Sequence, residues 1–303
     1  MYPESELATF LRSRREQVKP EQVGLPSSGR RRVPGLRRAE LAMLAGLSME
    51  YLERLEQGRD TNPSVAVLAA LAQALQMSDD DKRHLALLAM KRHTSALFPS
   101  PRPVNDVPRP TLPVLLDLLD PTPACLLGPI CNIVAWNASW ERLGRPLGAL
   151  DSNPPNLLRN HFLTSASRRV FTGGDWAAEA DELVGFLRSG QPYWGDDDDF
   201  RALVDELSAA PEFVTRWAAH SVASQQPDIK QIFHPEAGTL HITVEILHVG
   251  DGNHWLQVWL PRNEETAAAI SALLDTPMRA IPSDTTRRQN QAPHSAPDPE
   301  TGG

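Results

Sequence analysis

Cysteine is scarce in this 303-residue chain, which contains only Cys125 and Cys131. Two cysteines are too few for a disulfide framework, and their spacing differs from the Cys-x-x-Cys pattern of metal and redox sites. No run of about 18 apolar residues occurs, and the N-terminal segment lacks the apolar core of a secretory signal. We therefore expect a cytoplasmic protein in a reducing compartment, with no membrane partner.

Catalytic and metal-binding motifs are also missing. The chain contains no Gly-x-Ser-x-Gly, P-loop, Gly-x-Gly-x-x-Gly or His-Glu-x-x-His sequence, so no enzyme activity is predicted. His241 and His248 are seven residues apart on one predicted strand and therefore point to opposite faces. The acidic run at residues 196–199 precedes a predicted helix, whose dipole favours negative charge there. We expect no metal and no cofactor.

Positive charge is in deficit overall, because 30 Lys and Arg face 38 Asp and Glu, giving a formal net charge of -8. The deficit is uneven. Residues 1–98 hold 15 Lys and Arg against 12 Asp and Glu, a formal +3, so the rest of the chain carries -11. Arginines crowd together at positions 30–32, 37 and 38. A local basic face attracts phosphates even in an acidic protein, although a solvated charged surface is the alternative.

The first ninety residues show the periodicity of helices. Leu7, Phe10 and Leu11 form one apolar stripe within residues 5–15. Four further short helices are predicted at residues 37–45, 49–57, 64–76 and 79–89. The proline-rich segment 98–112 cannot continue a helix, and we interpret it as a linker between a domain at residues 1–97 and a second domain at residues 113–262.

The second domain mixes strands with helices. Two short strands joined by a Gly-Pro turn are predicted within residues 123–137, and residues 239–249 and 254–262 show the alternation of strands with one buried face. Helices are predicted at residues 138–143, 156–163, 175–188, 200–209 and 212–222. A weak helical stretch at residues 264–274 belongs to a largely disordered tail at residues 263–303. The predicted fold class is α+β.

The stretch AGLSMEYLERLEQGRD, residues 45–60, has the spacing of a helix-turn-helix. Tyr51, Leu52 and Leu55 share one face of its second helix and are predicted to pack. In the major groove such a helix presents its first turns to base edges. The residues predicted to contact bases are Met49, Glu50 and Arg54. The residues predicted to contact phosphates are Arg38, Ser48, Arg59 and Asn62.

The sequence LRRAELAMLAGLSMEYLERLEQGR resembles the Cro/repressor-type helix-turn-helix of the xenobiotic-response-element-like family, which implies binding of double-stranded DNA. A small helical bundle without a nucleic-acid partner is the alternative. Farther along, the segments IVAWNASWERLG, NLLRNHFL, RRVFTGGDWAAEADELVGFLR, PEFVTRWAAH and HPEAGTLHITVEILHV are similar to the ligand-binding domain of MmyB-like transcription regulators. That resemblance implies a PAS-like fold, an antiparallel sheet with flanking helices, and a pocket for a small apolar ligand, for which the family suggests a long-chain fatty acid.

Apolar side chains able to line such a pocket are Leu157, Leu158, Phe162, Leu163, Val170, Phe171 and Trp217, together with the apolar faces of the final strands. The residues predicted to contact the ligand are Arg159, Phe162, Trp136, Asn137, Trp217, His220 and His234. Five of them have a structural alternative. Arg159 would pair with Asp175 or Glu179, Asn137 would cap a helix, Trp217 and His220 would pack, and His234 would bond to backbone in a turn between strands.

These expectations combine into a transcription regulator that binds DNA and senses a small apolar molecule. We expect a homodimer, because one short recognition helix reads few bases and two half-sites about 34 Å apart need a two-fold protein. The alternative from another functional class is a second domain that serves as a ligand-free protein-interaction module.

Overall fold

The structure, a computed structural model, describes residues 5–26, 35–60, 62–90, 104, 106–171, 175–223, 228–249 and 254–275. The arginines at positions 30–32, most of the predicted linker and the predicted tail beyond residue 275 lie outside the described residues. Within these ranges, an all-α region ends at Met90 and an α+β region begins at Thr111.

Short helices build the all-α region, and they match the predicted ones to within two residues at each end. They are α1 (Glu6–Gln17), α2 (Arg38–Ala45), α3 (Met49–Glu56), α4 (Val65–Ala74) and α5 (Asp79–Met90). Local signals set their ends. Gly46 has a φ of 65°, which closes α2 in the left-handed conformation, and the hydroxyl of Ser48 caps α3 by accepting from the amide of Tyr51.

The α+β region contains one antiparallel sheet. Its strands are β1 (Ala124–Leu127), β2 (Ile133–Trp136), β3 (Asp228–His234), β4 (Gly238–Val249) and β5 (His254–Pro261). The strand order is β2-β1-β5-β4-β3, and each pair of neighbours is antiparallel. Along β4, Leu240, Ile242 and Val244 are buried and alternate with half-buried polar residues, as predicted.

Helices cover both faces of the sheet. The helix α6 (Thr111–Leu119) packs Leu112 and Leu116 on one face. The opposite face carries α7 (Ala138–Gly144), α8 (Leu157–Leu163), α9 (Ser167–Val170), α10 (Asp175–Trp194), α11 (Asp198–Leu207), α12 (Pro211–Ala218) and α13 (Glu264–Leu274). This arrangement confirms the predicted α+β class with a PAS-like antiparallel sheet and flanking helices.

Several elements differ from the sequence-based expectation. The sequence pattern did not predict residue ranges for the helix α6 or the strand β3. The helix α10 continues six residues beyond the predicted end, through Pro192 in its last turn. The strand β5 is buried on both faces instead of one, because it lies between β1 and β4 with α6 on one side and the larger helical layer on the other.

Contacts between the two regions involve α1 and α5 on one side and the end of α12 with α10 on the other. The carbonyls of Ala219 and His220, directly after α12, accept from side chains of α1. The Ser13 hydroxyl donates to the Ala219 carbonyl at 2.8 Å, and Arg14 Nη2 donates to the His220 carbonyl at 3.2 Å. Gln17 also donates to Ala219.

Candidate functional site

The helix α3 presents the side chains predicted to read bases. Met49 is 50% exposed, and Glu50 and Arg54 are exposed as well. Leu52 and Leu55, on the opposite face, are fully buried in the core of the all-α region. The Arg54 guanidinium lies 5.4 Å from the centre of the Tyr51 ring, which holds it along the helix surface by a cation–π contact. The contacts with the α+β region come from α1 and α5, and α3 keeps this outer face open.

Residues predicted to contact phosphates surround α3. Ser48 and Arg59 are exposed. Asn62 is exposed in the loop after α3, where its backbone amide donates to Asp60 Oδ1 at 3.1 Å. Arg38 already has a protein partner, because its Nε donates to Glu56 Oε2 at 2.7 Å. The hydrogen bond to Glu56 raises the pKa of Arg38, and its side chain remains 41% exposed.

Glu56 connects three parts of the all-α region. Its side chain is fully buried and accepts from Arg15 Nε at 2.6 Å and from Arg15 Nη2 at 3.2 Å, in addition to Arg38. Arg15 is itself buried, and its Nη1 donates to the Leu36 carbonyl at 2.9 Å. This bidentate pair joins α1 to the C-terminal end of α3, while Arg38 adds the start of α2.

A cavity of about 100 Å³ lies between the sheet and the helices α7 to α10. Most of its wall is apolar. The described lining residues are Trp140, Leu147, Ala149, Leu157, Asn160, His161, Ser167, Val170, Phe171, Glu179, Leu183, Lys230, Ile232, Ile242, Val244, Gln257 and Trp259. An apolar enclosure with a few convergent polar groups is the usual form of a small-molecule site.

Charge enters the cavity wall as an ion-paired cluster. Lys230 of β3 donates to Glu179 and, at 3.0 Å, to Glu182, both on α10. Burial alone would lower the pKa of Lys230, but the two carboxylates and their hydrogen bonds raise it overall. Lys230 therefore stays protonated, and its charge is matched by α10 within the protein.

His161 lines the same cavity as an uncharged ring. Its Nε2 lies 3.0 Å from the Trp176 carbonyl, and its ring stacks on Trp176 with the centroids 4.5 Å apart. Burial lowers the pKa of His161 to about 4, helped by the charges of Lys230, Arg216 and Arg168 and opposed by the bond to Trp176. The imidazole is therefore neutral near pH 7.

The predicted ligand residues on the helical layer contact other side chains and do not line the cavity. Arg159 pairs with Glu206 at 2.8 Å, whereas the expected alternative partners were Asp175 or Glu179. Glu179 is bonded to Lys230, and the Asp175 side chain lies outside the described residues. Phe162 packs edge-on against Trp176 and Phe213.

The predicted residues at helix ends and turns also have structural partners. Asn137 is buried and caps α7, accepting from the amides of Ala124 and Trp140. Trp136 donates to Glu141 at 3.2 Å, and its ring centroid lies 6.2 Å from that of Trp140. The described lining residues include neither of these two, nor Arg159, Phe162, Trp217, His220 or His234.

The remaining three lie at the junction with the all-α region or at a strand end. Trp217 stacks on Phe213 and lies under the Arg188 guanidinium, 3.4 Å from ring centre to Cζ. His220 has a φ of 52° directly after α12, and its carbonyl accepts from Arg14. His234 Nδ1 accepts from the amides of residues 236 and 237, each at 3.2 Å, so it holds the turn between β3 and β4.

Of the apolar residues expected in the wall, Leu157, Val170 and Phe171 line the cavity. The polar lining residues Asn160, His161, Glu179, Lys230 and Gln257 were missed as ligand candidates. Lys230 carried a usable signal, because it lies two residues before Ile232, and a lysine on the strand face that Ile232 buries must find an anion or reach solvent.

Two family models match the chain. A helix-turn-helix domain matches residues 6–85, and the MmyB-like transcription regulator ligand binding domain matches residues 108–273, more than half of the chain. Neither description names an enzyme. No curated protein sequence matches the chain. Within the described ranges, the helices are too short or too polar to cross a membrane. The chain therefore belongs to the MmyB-like transcription regulators, with a helix-turn-helix domain for DNA and a ligand-binding domain for a small molecule.

Proposed function

We propose that the protein binds a specific double-stranded operator through α3 and changes its operator affinity when an apolar molecule enters the cavity beside Lys230. The observation that carries the proposal is the outward placement of Met49, Glu50 and Arg54, on a face that the contact between the two regions leaves open. A major groove about 12 Å wide accepts a helix in this orientation.

In the proposed complex, Arg54 forms a paired contact to guanine, Glu50 accepts from cytosine N4, and Met49 contacts a thymine methyl group. Arg38, Ser48, Arg59 and Asn62 contact phosphates. Arg38 already donates to Glu56, so a phosphate must either share its guanidinium with Glu56 or displace that hydrogen bond. We therefore expect Arg38 to contribute less to DNA affinity than the exposed Arg59.

The ligand class we propose is a small apolar molecule, with a fatty acid as the first class to test. The cavity of about 100 Å³ is smaller than the roughly 300–1,000 Å³ of typical ligand pockets. A long-chain fatty acid therefore requires the helical layer to move outward, whereas a short-chain homologue fits with less rearrangement. Measuring affinity against chain length distinguishes these two cases.

Coupling between the cavity and DNA is proposed to run along α10. Glu179 and Leu183 line the cavity, and Ser189, farther along the same helix, donates to the Ala223 carbonyl at 2.8 Å. The segment 219–223 then meets the all-α region, where Val222 packs against its core. A ligand that binds one arrangement of α10 more tightly changes operator affinity by that difference in binding free energy.

Arg188 of α10 strengthens this connection. Arg188 is buried and donates to the Trp217 carbonyl. Its Nη1 lies 3.8 Å from Oε2 of Glu6 in α1. Burial lowers the pKa of Arg188 to about 10, and Glu6 opposes that shift. A shift of α10 therefore displaces a buried cation that bonds to both regions.

The experiment that tests the proposal selects bound sequences from a random duplex library with the full chain and with Arg54→Ala. We expect one dominant motif for the natural chain. Loss of the paired contact should lower affinity by about 1–3 kcal/mol and relax the preference at one base position. Arg83→Ala on α5 is the matched control, because Arg83 is exposed and pairs with Asp80 away from α3. An unchanged motif in Arg54→Ala removes Arg54 from the reading surface.

The competing function is a ligand-free protein-interaction module, and the small cavity is the observation that favours it. Native mass spectrometry of the purified chain separates the two functions. A bound mass of lipid size that is lost on denaturation supports the sensor. A bare chain that ignores added fatty acids and their short homologues supports the interaction module.

The proposed assembly is a cytoplasmic homodimer on a two-fold operator. Light scattering of the chain with operator DNA tests this directly. Two chains per duplex are expected, and one chain per duplex at saturating protein contradicts the dimer.

A further inference from the structure

The charged cluster at the cavity has a formal charge of -1, because the single positive charge of Lys230 faces the carboxylates of Glu179 and Glu182. Lys230 is therefore poorly suited to receive an ionised acid, which would bring a second excess negative charge into a mostly apolar enclosure. Charge–charge repulsion is least screened in such surroundings.

Two residues that line the cavity each carry a buried polar atom without a hydrogen-bond partner among the described residues. One is a donor, Nε1 of the fully buried Trp140, and the other is an acceptor, Oδ1 of the 9% exposed Asn160. Both residues line the cavity. Buried polar groups are normally satisfied, so this donor and this acceptor suit a ligand group that can both donate and accept.

Other polar atoms of the wall are already engaged. The Ser167 hydroxyl donates to the His161 carbonyl at 2.7 Å, and Asn160 Nδ2 donates to the Ala149 carbonyl. Gln257 Oε1 accepts from Trp259 Nε1 at 3.1 Å. The pairing of His161 Nε2 with the Trp176 carbonyl leaves the neutral ring with an unprotonated Nδ1, which is an acceptor. Acceptors on the wall therefore also favour a ligand with a hydrogen to donate.

We propose that the cavity binds an uncharged hydroxyl head group, either an alcohol or a carboxylic acid in its protonated form, and discriminates against the ionised acid. The hydroxyl hydrogen is donated to Asn160 Oδ1, and the hydroxyl oxygen accepts from Trp140 Nε1. This inference rests on the proposed ligand-binding function and names the chemical form of the ligand.

The charged and titratable groups around this site define its pH dependence. Glu179 and Glu182 come from α10, Lys230 from β3, and His161 from α8. Arg168 and Arg216, which pair with Glu212, also act on His161 through their charges. Because the pKa of His161 is about 4, His161 stays neutral between about pH 5 and about pH 8. Changes in acid binding over that range therefore do not come from His161.

The test titrates the full chain with hexane, hexanol and hexanoic acid by calorimetry, and repeats the titration with the tetradecyl homologues. At about pH 8 we expect hexanol to bind at least roughly tenfold more tightly than hexanoate, with the difference closing toward about pH 5. Buffers of different ionisation enthalpy should show uptake of about one proton with the acid at about pH 8 and none with the alcohol.

Two pairs of variants locate the effect. Trp140→Phe should weaken hexanol binding by roughly fivefold and leave hexane binding unchanged, whereas Trp136→Phe, outside the cavity, should change neither. Glu182→Gln brings the cluster to a formal charge of zero and should raise hexanoate affinity at about pH 8. Glu206→Gln is its control, because Glu206 pairs with Arg159 away from the cavity.

The outcomes separate this inference from the function on which it rests. Hexanoate that binds at about pH 8 as tightly as hexanol, without proton uptake, overturns the neutral-head-group inference and leaves a ligand-binding domain in place. If Trp140→Phe weakens hexane and hexanol binding equally, Trp140 has a packing role, and this result also contradicts the neutral-head-group inference. Failure of every probe to bind, at either chain length, overturns the proposed ligand-binding function itself.

Discussion

Replacement of Glu56 by glutamine should destabilise the helix-turn-helix domain more than any other single change of charge on α3. Glu56 is fully buried and accepts three charge-assisted hydrogen bonds, two from Arg15 and one from Arg38. The substitution keeps the shape of the side chain and one carbonyl acceptor, but it removes the negative charge that compensates the buried Arg15.

The magnitude follows from the burial of each partner. Removing one member of a buried ion pair destabilises by about 3–5 kcal/mol, and the retained amide oxygen offsets part of that loss. Arg38 is 41% exposed, so water replaces much of its bond to Glu56. We expect Glu56→Gln to lower the free energy of unfolding by about 3 kcal/mol, which is about a hundredfold in the unfolding equilibrium.

Urea unfolding of the full chain at neutral pH, followed by far-ultraviolet circular dichroism, measures this difference. Glu53→Gln is the matched control: Glu53 is on the same helix, partly exposed and bonded only to the exposed Gln57 among the hydrogen bonds described, so a change within about 0.5 kcal/mol is expected. A change below about 1 kcal/mol for Glu56→Gln, or one equal to that of Glu53→Gln, contradicts the view that this buried carboxylate joins α1 to α3.

Three further expectations concern phosphate contact, pH and coupling. Arg59→Ala should reduce the slope of log affinity for operator DNA against log salt by about one, without altering the selected motif, and an unchanged slope removes Arg59 from the interface. Burial lowers the pKa of His161 to about 4, so as the pH falls this histidine becomes protonated in the unfolded chain before it does in the folded chain. The free energy of unfolding therefore decreases between about pH 6.5 and about pH 4, by on the order of 3 kcal/mol. Urea unfolding across that range should show a loss smaller by that amount in His161→Gln, and equal losses in both proteins contradict the assignment. A Cβ atom at Gly185 would lie 2.8 Å from the Cβ of Ala223, so Gly185→Val should displace the segment 219–223 and abolish the effect of ligand on operator affinity. Retained ligand sensitivity in that variant, measured by gel shift, refutes transmission through this contact.

Local periodicity was sufficient to predict the elements whose burial repeats along the chain. The stripe of Leu7, Phe10 and Leu11 marks α1, and the alternation from Leu240 to Val244 marks β4, because one face of each packs against a core. The strand β5 was harder to interpret. Its central position buries both faces, and the polar Gln257 in its sequence belongs to the cavity wall and not to a solvent face.

Partners of buried charges could not be predicted from local pattern. Lys230 pairs with Glu179 and Glu182, which precede it by 51 and 48 residues, and Arg159 pairs with Glu206 instead of the nearer acids. The choice of partner depends on how α8, α10, α11 and β3 pack together. For the same reason the polar residues of the cavity wall differ from those that the sequence suggested as ligand contacts.

The donors that α1 supplies to the end of α12 have a practical consequence for building chimeric sensors. Ser13, Arg14 and Gln17 belong to the DNA-binding half, yet they donate to the carbonyls of Ala219 and His220, directly after α12 in the other half. Grafting a foreign DNA-binding module onto this sensor would leave those carbonyls unpaired unless the graft carried equivalent donors. Interchangeability of modules is thus limited in part by three side chains at the seam.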